Sequence, residues 1–209
     1  MTRNKVYAIV EGHGEANRPS SGEQPAVVVL IGKMLSALEC WTLFPNERTF
    51  RMLSYGDFFR GDKLERTIRY HKMYDDCAAI LVLLDMDDEC PEEKAPKLVE
   101  RISHIESLPF SVVVVCAKCE YEAWFLASLE TIHDRQIFDG DPEAKRDAKG
   151  WLRRNFGYKP TRHQAAYTRE LDIALAYKRS RSFRRLHHAF QEIVDAAQTG
   201  QIVITPARD

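Results

Sequence analysis

The sequence predicts a Rossmann-like α/β layer fold: a parallel sheet flanked by helices, followed by a helical C-terminal appendage. Three observations predict it. Short apolar runs rich in β-branched residues recur up to Ala117, each of strand length and continuous rather than alternating, as in strands covered on both faces. Helix-compatible segments separate these runs, which gives the alternation of a layered α/β sheet. After Glu120 the chain reads as successive helices punctuated by Gly, Pro and Asp.

The elements follow in order. KVYAIV (5–10) is the first strand. Pro25 suits a first helical turn, and Val27, Leu30, Ile31, Met34, Leu35 and Leu38 then share one helical face, although VVVLI (27–31) alone also reads as a strand. TFRML (49–53) is a weaker second strand, and residues 63–74 form a polar helix. AAILVLL (78–84) is the third strand, 92–106 another polar helix, and SVVVVCA (111–117) the fourth strand. Helices follow in EYEAWFLASLETI, PEAKRDAKGWLRRNF, HQAAYTRELDIALAYKR and SFRRLHHAFQEIVDAAQ, broken at FDGDP and FGYKP, with IVIT as a late edge strand. The division is an α/β core over 1–140 and a mainly helical, basic region over 141–209 packed on it.

At 209 residues and 44% hydrophobic content the chain can bury a sizeable core, which excludes disorder of the whole. The formal charge of -1 conceals an asymmetry: residues 141–209 hold 14 Lys+Arg against 8 Asp+Glu, and the rest 16 against 23. In KRSRSFRRL, Arg179, Arg181, Arg184 and Arg185 lie close together with Ser180 and Ser182 between them. Guanidinium forks and hydroxyls suit the phosphate oxygens of DNA or RNA, whereas a solvated helix face with intramolecular ion pairs is the competing account. The apolar stretch in MTRNKVYAIVEG is too short for a signal peptide, and no run approaches a membrane span. Five cysteines without a disulfide framework suit a reducing cytoplasm. Cys116 and Cys119 form a single CxxC with no second pair, so they read as core thiols rather than zinc ligands.

Acidic residues gather where strands end. In a parallel α/β sheet, ligands sit beyond the carboxyl ends of the strands, so such residues are candidates for one pocket. The first strand ends in Glu11, with Glu15 in EGHGE; the third ends in Asp85, followed by Asp87; the fourth runs through Lys118 to Glu120. Two carboxylates about 4 Å apart repel by roughly 4 kcal/mol at an effective dielectric near 20, so a convergent group must gain protons, separate into solvent or hold a cation. Oxygen ligands favour Mg²⁺ or Mn²⁺, whose usual work is on phosphates. Glu122, Asp88 and Glu89 read as helix-start and loop charges.

A strand ending in Glu, followed two strand-helix units later by a strand ending in D-x-D, is similar to the TOPRIM domain of topoisomerases, primases and old-type nucleases. Glu11 in AIVEGHGE matches its glutamate, Asp85 and Asp87 in LVLLDMD match its D-x-D, and Glu15 resembles the additional metal ligand of old-type nucleases. VEGHGE, LLDMDD, KCEYEAWFLAS, YKPTRHQ and RSRSFRRL together resemble a bacterial family of uncharacterised TOPRIM-like proteins, often encoded beside ATPases and linked to phage defence. The resemblance spans nearly the whole chain. It implies a metal-dependent phosphodiester nuclease with a TOPRIM core, in which Glu11, Asp85 and Asp87 bind Mg²⁺ or Mn²⁺ and Glu15 and Glu120 are further ligands. Glu11 is also implied as general acid or base. Lys118 neutralises charge on the phosphate or pairs with a neighbouring acid.

Weaker motifs bound the alternatives. GHGEAN lacks the third glycine of G-x-G-x-x-G, and its helix is expected only after Pro25, so no dinucleotide cofactor is expected; no P-loop is present, so any ATP use belongs to a partner. His13 sits between the glycines and reads as an exposed loop histidine or a contact to phosphate or metal. The adjacent His187 and His188 do not share a helical face as a zinc pair would, and Trp124 and Phe125 read as core. A haloacid-dehalogenase-like phosphatase also uses D-x-D, but on its first strand, and Glu89 occupies the position where such enzymes resemble Thr or Val. The remaining alternative is a non-catalytic module that docks nucleic acid or an ATPase. A homodimer is expected only on the general tendency of parallel α/β cores.

Overall fold

The structure, a computed structural model, describes residues 2–16, 24–52 and 54–205. Its strands are β1 (Lys5–Val10), β2 (Phe44–Arg51), β3 (Cys77–Asp85), β4 (Ser111–Ala117) and β5 (Ile204–Thr205). They form one five-stranded sheet in the order β2-β1-β3-β4-β5, with every pairing parallel. The expected Rossmann-like α/β architecture is therefore present.

The helices are α1 (His13–Ala16), α2 (Ala26–Ala37), α3 (Gly56–Phe59), α4 (Lys63–Tyr70), α5 (Pro91–Ser103), α6 (Glu122–Ala127), α7 (Leu129–Ile132), α8 (Ala148–Phe156), α9 (Pro160–Glu170), α10 (Ile173–Arg179) and α11 (Arg181–Thr199). Alternation along the strands divides them between two layers. Val6, Ala8, Val10, Leu81, Leu83, Val113 and Val115 pack with α2, α6, α8, α10 and α11. Tyr7, Ile9, Ile80, Val82, Leu84, Val112 and Val114 pack with Phe58 of α3, Leu64 and Ile68 of α4, and Leu98 and Ile102 of α5. Each fully buried aliphatic side chain contributes about 1.5–3 kcal/mol, so the central strands are a stiff base for the residues at their tips. The C-terminal helices share the apolar cluster of the first layer, through Leu152, Phe183, Leu186 and Phe190.

Caps fix where these helices begin. Asp147, Asp172 and Ser180 accept backbone N–H bonds from Gly150, Leu175 and Phe183 at 2.9, 2.8 and 3.0 Å. The start of α11 is also tied to the loop before α8. Ser180 Oγ–H and the N–H groups of Arg181 and Ser182 donate to the Glu143 carboxylate at 2.7, 3.1 and 2.7 Å. Trp124, fully buried, donates Nε1–H to Ser182 Oγ at 2.8 Å and joins α6 to α11.

Two local expectations change, and one open alternative closes in favour of the expected helix. β2 begins five positions before TFRML, because this edge strand is half-exposed and Pro45, which lacks an N–H, is tolerated there without an apolar run; Leu53 lies outside the described residues. Val27–Ile31 is helical within α2 and buried. One helical turn, α1, follows β1 directly, earlier than the helix expected after Pro25. Asn17 of GHGEAN and the side chain of His13 lie outside what is described. Among the described residues no helix is long and apolar enough to cross a membrane, and all five cysteines are free.

Candidate functional site

Parallel pairing in register sets β1 and β3 side by side, Val10 opposite Leu83, so that Glu11 and Asp85 leave the sheet at the same end. α1 then turns Glu15 back over them. Glu11, Glu15 and Asp85 line one void with Gly12, Leu83, Leu84 and Tyr121, of about 10 Å³, which is the room of one water molecule or one small ion. Gly12 approaches closely here: a Cβ at that position would fall on the Glu15 carboxylate and displace it from its present place.

The other predicted residues stand around this centre. Asp87 is exposed, in the left-handed region at φ 45°. Its N–H bonds to the carbonyl of Cys119 at 2.9 Å, itself at φ 62°, so the tips of β3 and β4 stay clamped beyond their last paired residues. Glu120 accepts the backbone N–H of Lys149 at 2.9 Å through Oε2. Lys118 faces a separate groove of about 420 Å³, shared with Glu92, Glu143, Arg181 and Arg185. The arginines have intramolecular partners: Arg179 pairs with Glu130 at 2.8 Å, Arg181 and Arg185 reach Glu92 at 2.9 and 3.3 Å, and Arg184 donates to the carbonyl of Tyr177 at 3.1 Å.

Four residues that the sequence reading passed over complete the site. Glu122, expected to be a helix-start charge, is wholly buried; its Oε1 accepts from Tyr158 Oη–H at 3.0 Å, and its Oε2 lies 3.8 Å from Lys149 Nζ. Gln164, also fully buried, donates to Glu15 Oε1 at 2.6 Å. The only local hint was KCEYE, with two acids two positions apart; the Lys149, Tyr158 and Gln164 partnerships span up to 149 positions and leave no periodic signal.

The electrostatics are those of acids crowded out of water. Burial, with Asp87 and Glu15 nearby, raises Glu11, against a backbone N–H from Tyr55 and the charge of Lys149. Burial raises Asp85 well above the usual carboxylate range; Glu15 and Glu122 add to this, and Lys149 and the Tyr121 N–H, 2.9 Å from Oδ1, oppose it. Glu122 is pushed up to about 7, mainly by burial, with Lys149 and Tyr158 holding it down and Glu15 and Glu120 raising it. Burial works to depress Lys149, but Glu122, Asp85, Glu120 and Glu15 together raise it.

Among the described residues no group of three or more His, Cys, Asp or Glu side chains stands ready-made as a metal site. The cation within the cluster is the Lys149 ammonium. Yet Glu11 Oε2, Glu15 Oε2 and Glu122 Oε2 are buried without a hydrogen-bond partner, a costly condition for carboxylate oxygens. All-oxygen donors, a void of ionic size and the orphaned acceptors of Glu11 and Glu15, which line it, fit a small hard cation.

Comparison with curated proteins and with solved structures finds no match. A family model, described as a domain of unknown function (DUF4276), matches residues 21–191, from the segment before α2 through most of α11. It covers the D-x-D, Glu120, Glu122, Lys149, Tyr158 and Gln164, and leaves Glu11 and Glu15 outside its bounds. On that match over most of its length, the chain belongs to the DUF4276 family.

Proposed function

We propose that this protein is a metal-dependent nuclease of the TOPRIM type that hydrolyses phosphodiester bonds. The observation that carries the reading is the convergence of Glu11, Glu15 and Asp85 on one void at the carboxyl end of a parallel sheet, where buried carboxylate oxygens lack partners. The sequence resemblance to TOPRIM and old-type nucleases supports it independently. Glu11, Asp85 and Asp87 would hold Mg²⁺ or Mn²⁺, with Glu15 and Glu120 completing the surroundings. The ion, when bound, supplies Lewis-acid stabilisation to the oxygens of an in-line displacement at phosphorus.

The chain's own residues have distinct work. Glu11, half-buried and held above the usual carboxylate range, accepts a proton from the attacking water through its unpartnered Oε2. The Tyr121 N–H fixes Asp85, and Gln164 fixes Glu15, so neither carboxylate swings toward solvent. Lys118, Arg181 and Arg185, in the separate groove, attract a polyanion to the protein. The resemblance extends the proposal to an effector of bacterial phage defence acting with an ATPase, in a cytoplasm that keeps its five thiols free.

The test is incubation of the protein with supercoiled, linear and single-stranded DNA, and with RNA, in Mg²⁺ or Mn²⁺, with and without any ATPase encoded beside it. Cleavage is expected in wild type and lost in Glu11→Ala and Asp85→Asn at unchanged fold; cleavage that persists in both variants removes the assignment. A second reading, a module that binds nucleic acid or an ATPase without cutting, draws on Lys149 already serving the carboxylates as counter-ion. Cellular activity retained in Asp85→Ala with Asp87→Ala favours that reading.

A further inference from the structure

The carboxylates divide around Asp85. Glu11 follows β1, and the exposed Asp87, clamped at the tip of β4, acts on it through its charge. Toward α8 and α9 lie Glu15, held by Gln164, and Glu122, held by Tyr158; both are buried, and each keeps one oxygen without a hydrogen-bond partner. Lys149 serves this second set. Its Nζ lies 3.8 Å from Glu122 Oε2, its own N–H is bonded to Glu120 at 2.9 Å, and its charge acts on Asp85 and Glu15.

The placement of Lys149 is built rather than incidental. Asp147 adopts a left-handed conformation at φ 56°, caps α8 through the Gly150 N–H and bonds to Arg154 at 3.1 Å. A Cβ on Gly150 would fall on the Asp147 carboxylate, so a side chain there would displace the cap from its present position. Lys149 sits between these two residues, fixed in the first turn of α8 against the cluster. An ammonium covalently carried by the fold remains when free divalent ion is scarce, and it offsets one of the negative charges buried beside Asp85.

We propose that Lys149 is the resident cation of the Glu15–Asp85–Glu122 half of the site, so that the chain takes a single divalent ion, at Glu11, Asp85 and Asp87, and fills a second cation place with its own ammonium. This rests on the metal-dependent reading above. It makes Lys149 a positioning residue: it holds Glu122 in place, acts on Asp85 through its charge and keeps a second ion out.

The experiment counts Mn²⁺ bound per chain by electron paramagnetic resonance on the intact protein, with thermal unfolding measured with and without Mn²⁺. Wild type, Lys149→Met and the double variant Lys149→Met with Glu122→Gln are compared. One ion is expected in wild type, two in Lys149→Met with a larger Mn²⁺-induced rise in Tm, and one again in the double variant. Two ions in wild type, or no added ion in a folded Lys149→Met, overturns the role of Lys149 and leaves the metal-dependent reading standing. No ion in wild type but one in Lys149→Met supports the role of Lys149 and overturns the metal-dependent reading, and no ion in any variant overturns both. If Lys149→Met does not fold without metal, Lys149→Arg and the double variant decide: both must fold and bind one ion, and failure of either overturns the proposal.

Discussion

Tyr158→Phe isolates one bond at the heart of the site. The substitution keeps the ring, which is buried among Phe125, Tyr167 and His163, and deletes only the hydroxyl that donates to Glu122 Oε1 at 3.0 Å. Glu122 would then retain no hydrogen-bond donor, since its Oε2 already lacks one and Lys149 is 3.8 Å away. A hydrogen bond to a charged, buried group contributes about 1.5–3 kcal/mol. For a chain of this size each kcal/mol moves Tm by about 2–4 °C, so a fall of about 3–12 °C is expected. Urea unfolding followed by circular dichroism at pH 8, above the value of about 7 to which burial raises Glu122, measures the free energy. In the Glu122→Gln background the same substitution should cost at least about 1 kcal/mol less, because a neutral acceptor replaces the carboxylate. A cost below about 0.5 kcal/mol, or an equal cost in both backgrounds, would show that the carboxylate is not what Tyr158 stabilises.

Other outcomes follow from the same geometry. Gly12→Ala drives a Cβ onto the Glu15 carboxylate; titration with Mn²⁺ should show affinity weakened about 10–100-fold with the fold kept, as when a ligand's support is disturbed. His71 is fully buried among Tyr7, Phe50, Tyr70 and Tyr74, with Nδ1 bonded to the Thr67 carbonyl at 2.7 Å and Nε2 unpartnered, and burial lowers its pKa. The unfolded chain takes up that proton near pH 6.5 and the folded chain only below it, so stability should fall as pH drops through 6.5, by up to about 1.4 kcal/mol per pH unit from this group. His133, His163 and His187, also lowered by burial, add the same sign; urea midpoints from pH 5 to 8 should flatten in His71→Phe by that group's share. Arg181→Ala with Arg185→Ala should weaken nucleic-acid binding and reduce the salt slope by about two, read by fluorescence anisotropy across ionic strength; an unchanged slope assigns both side chains to the Glu92 contacts.

The parts of the fold that were legible are those whose cause is local. Ile80–Leu84 and Val112–Val115 are continuous apolar runs because both sheet faces are covered, and that burial writes itself into consecutive residues. β2 was only partly legible, since an exposed edge strand does not need apolar residues at every position. At the site, Glu11, Glu15 and Asp85 were legible from their place at strand ends, and the register brings them together. Glu122 was not, because an acid in a first helical turn is ordinarily explained by the helix dipole. What distinguishes it is Tyr158 and Lys149, brought in by α8 and the turn after it. Lys149 itself looked like one of many basic residues in the C-terminal third; only the capped turn at Asp147 separates it from the solvated ones.

The bond from Gln164 to Glu15 joins residues 149 positions apart, which bears on when a newly made molecule becomes competent. A ribosome adding about 5–20 residues per second needs roughly 7–30 s between the two. During that interval the first strand and its acids emerge without the partner that fixes Glu15. Competence therefore arrives late in synthesis, and a prematurely terminated product ending before α9 would carry the acidic tips but not the grip that orders them.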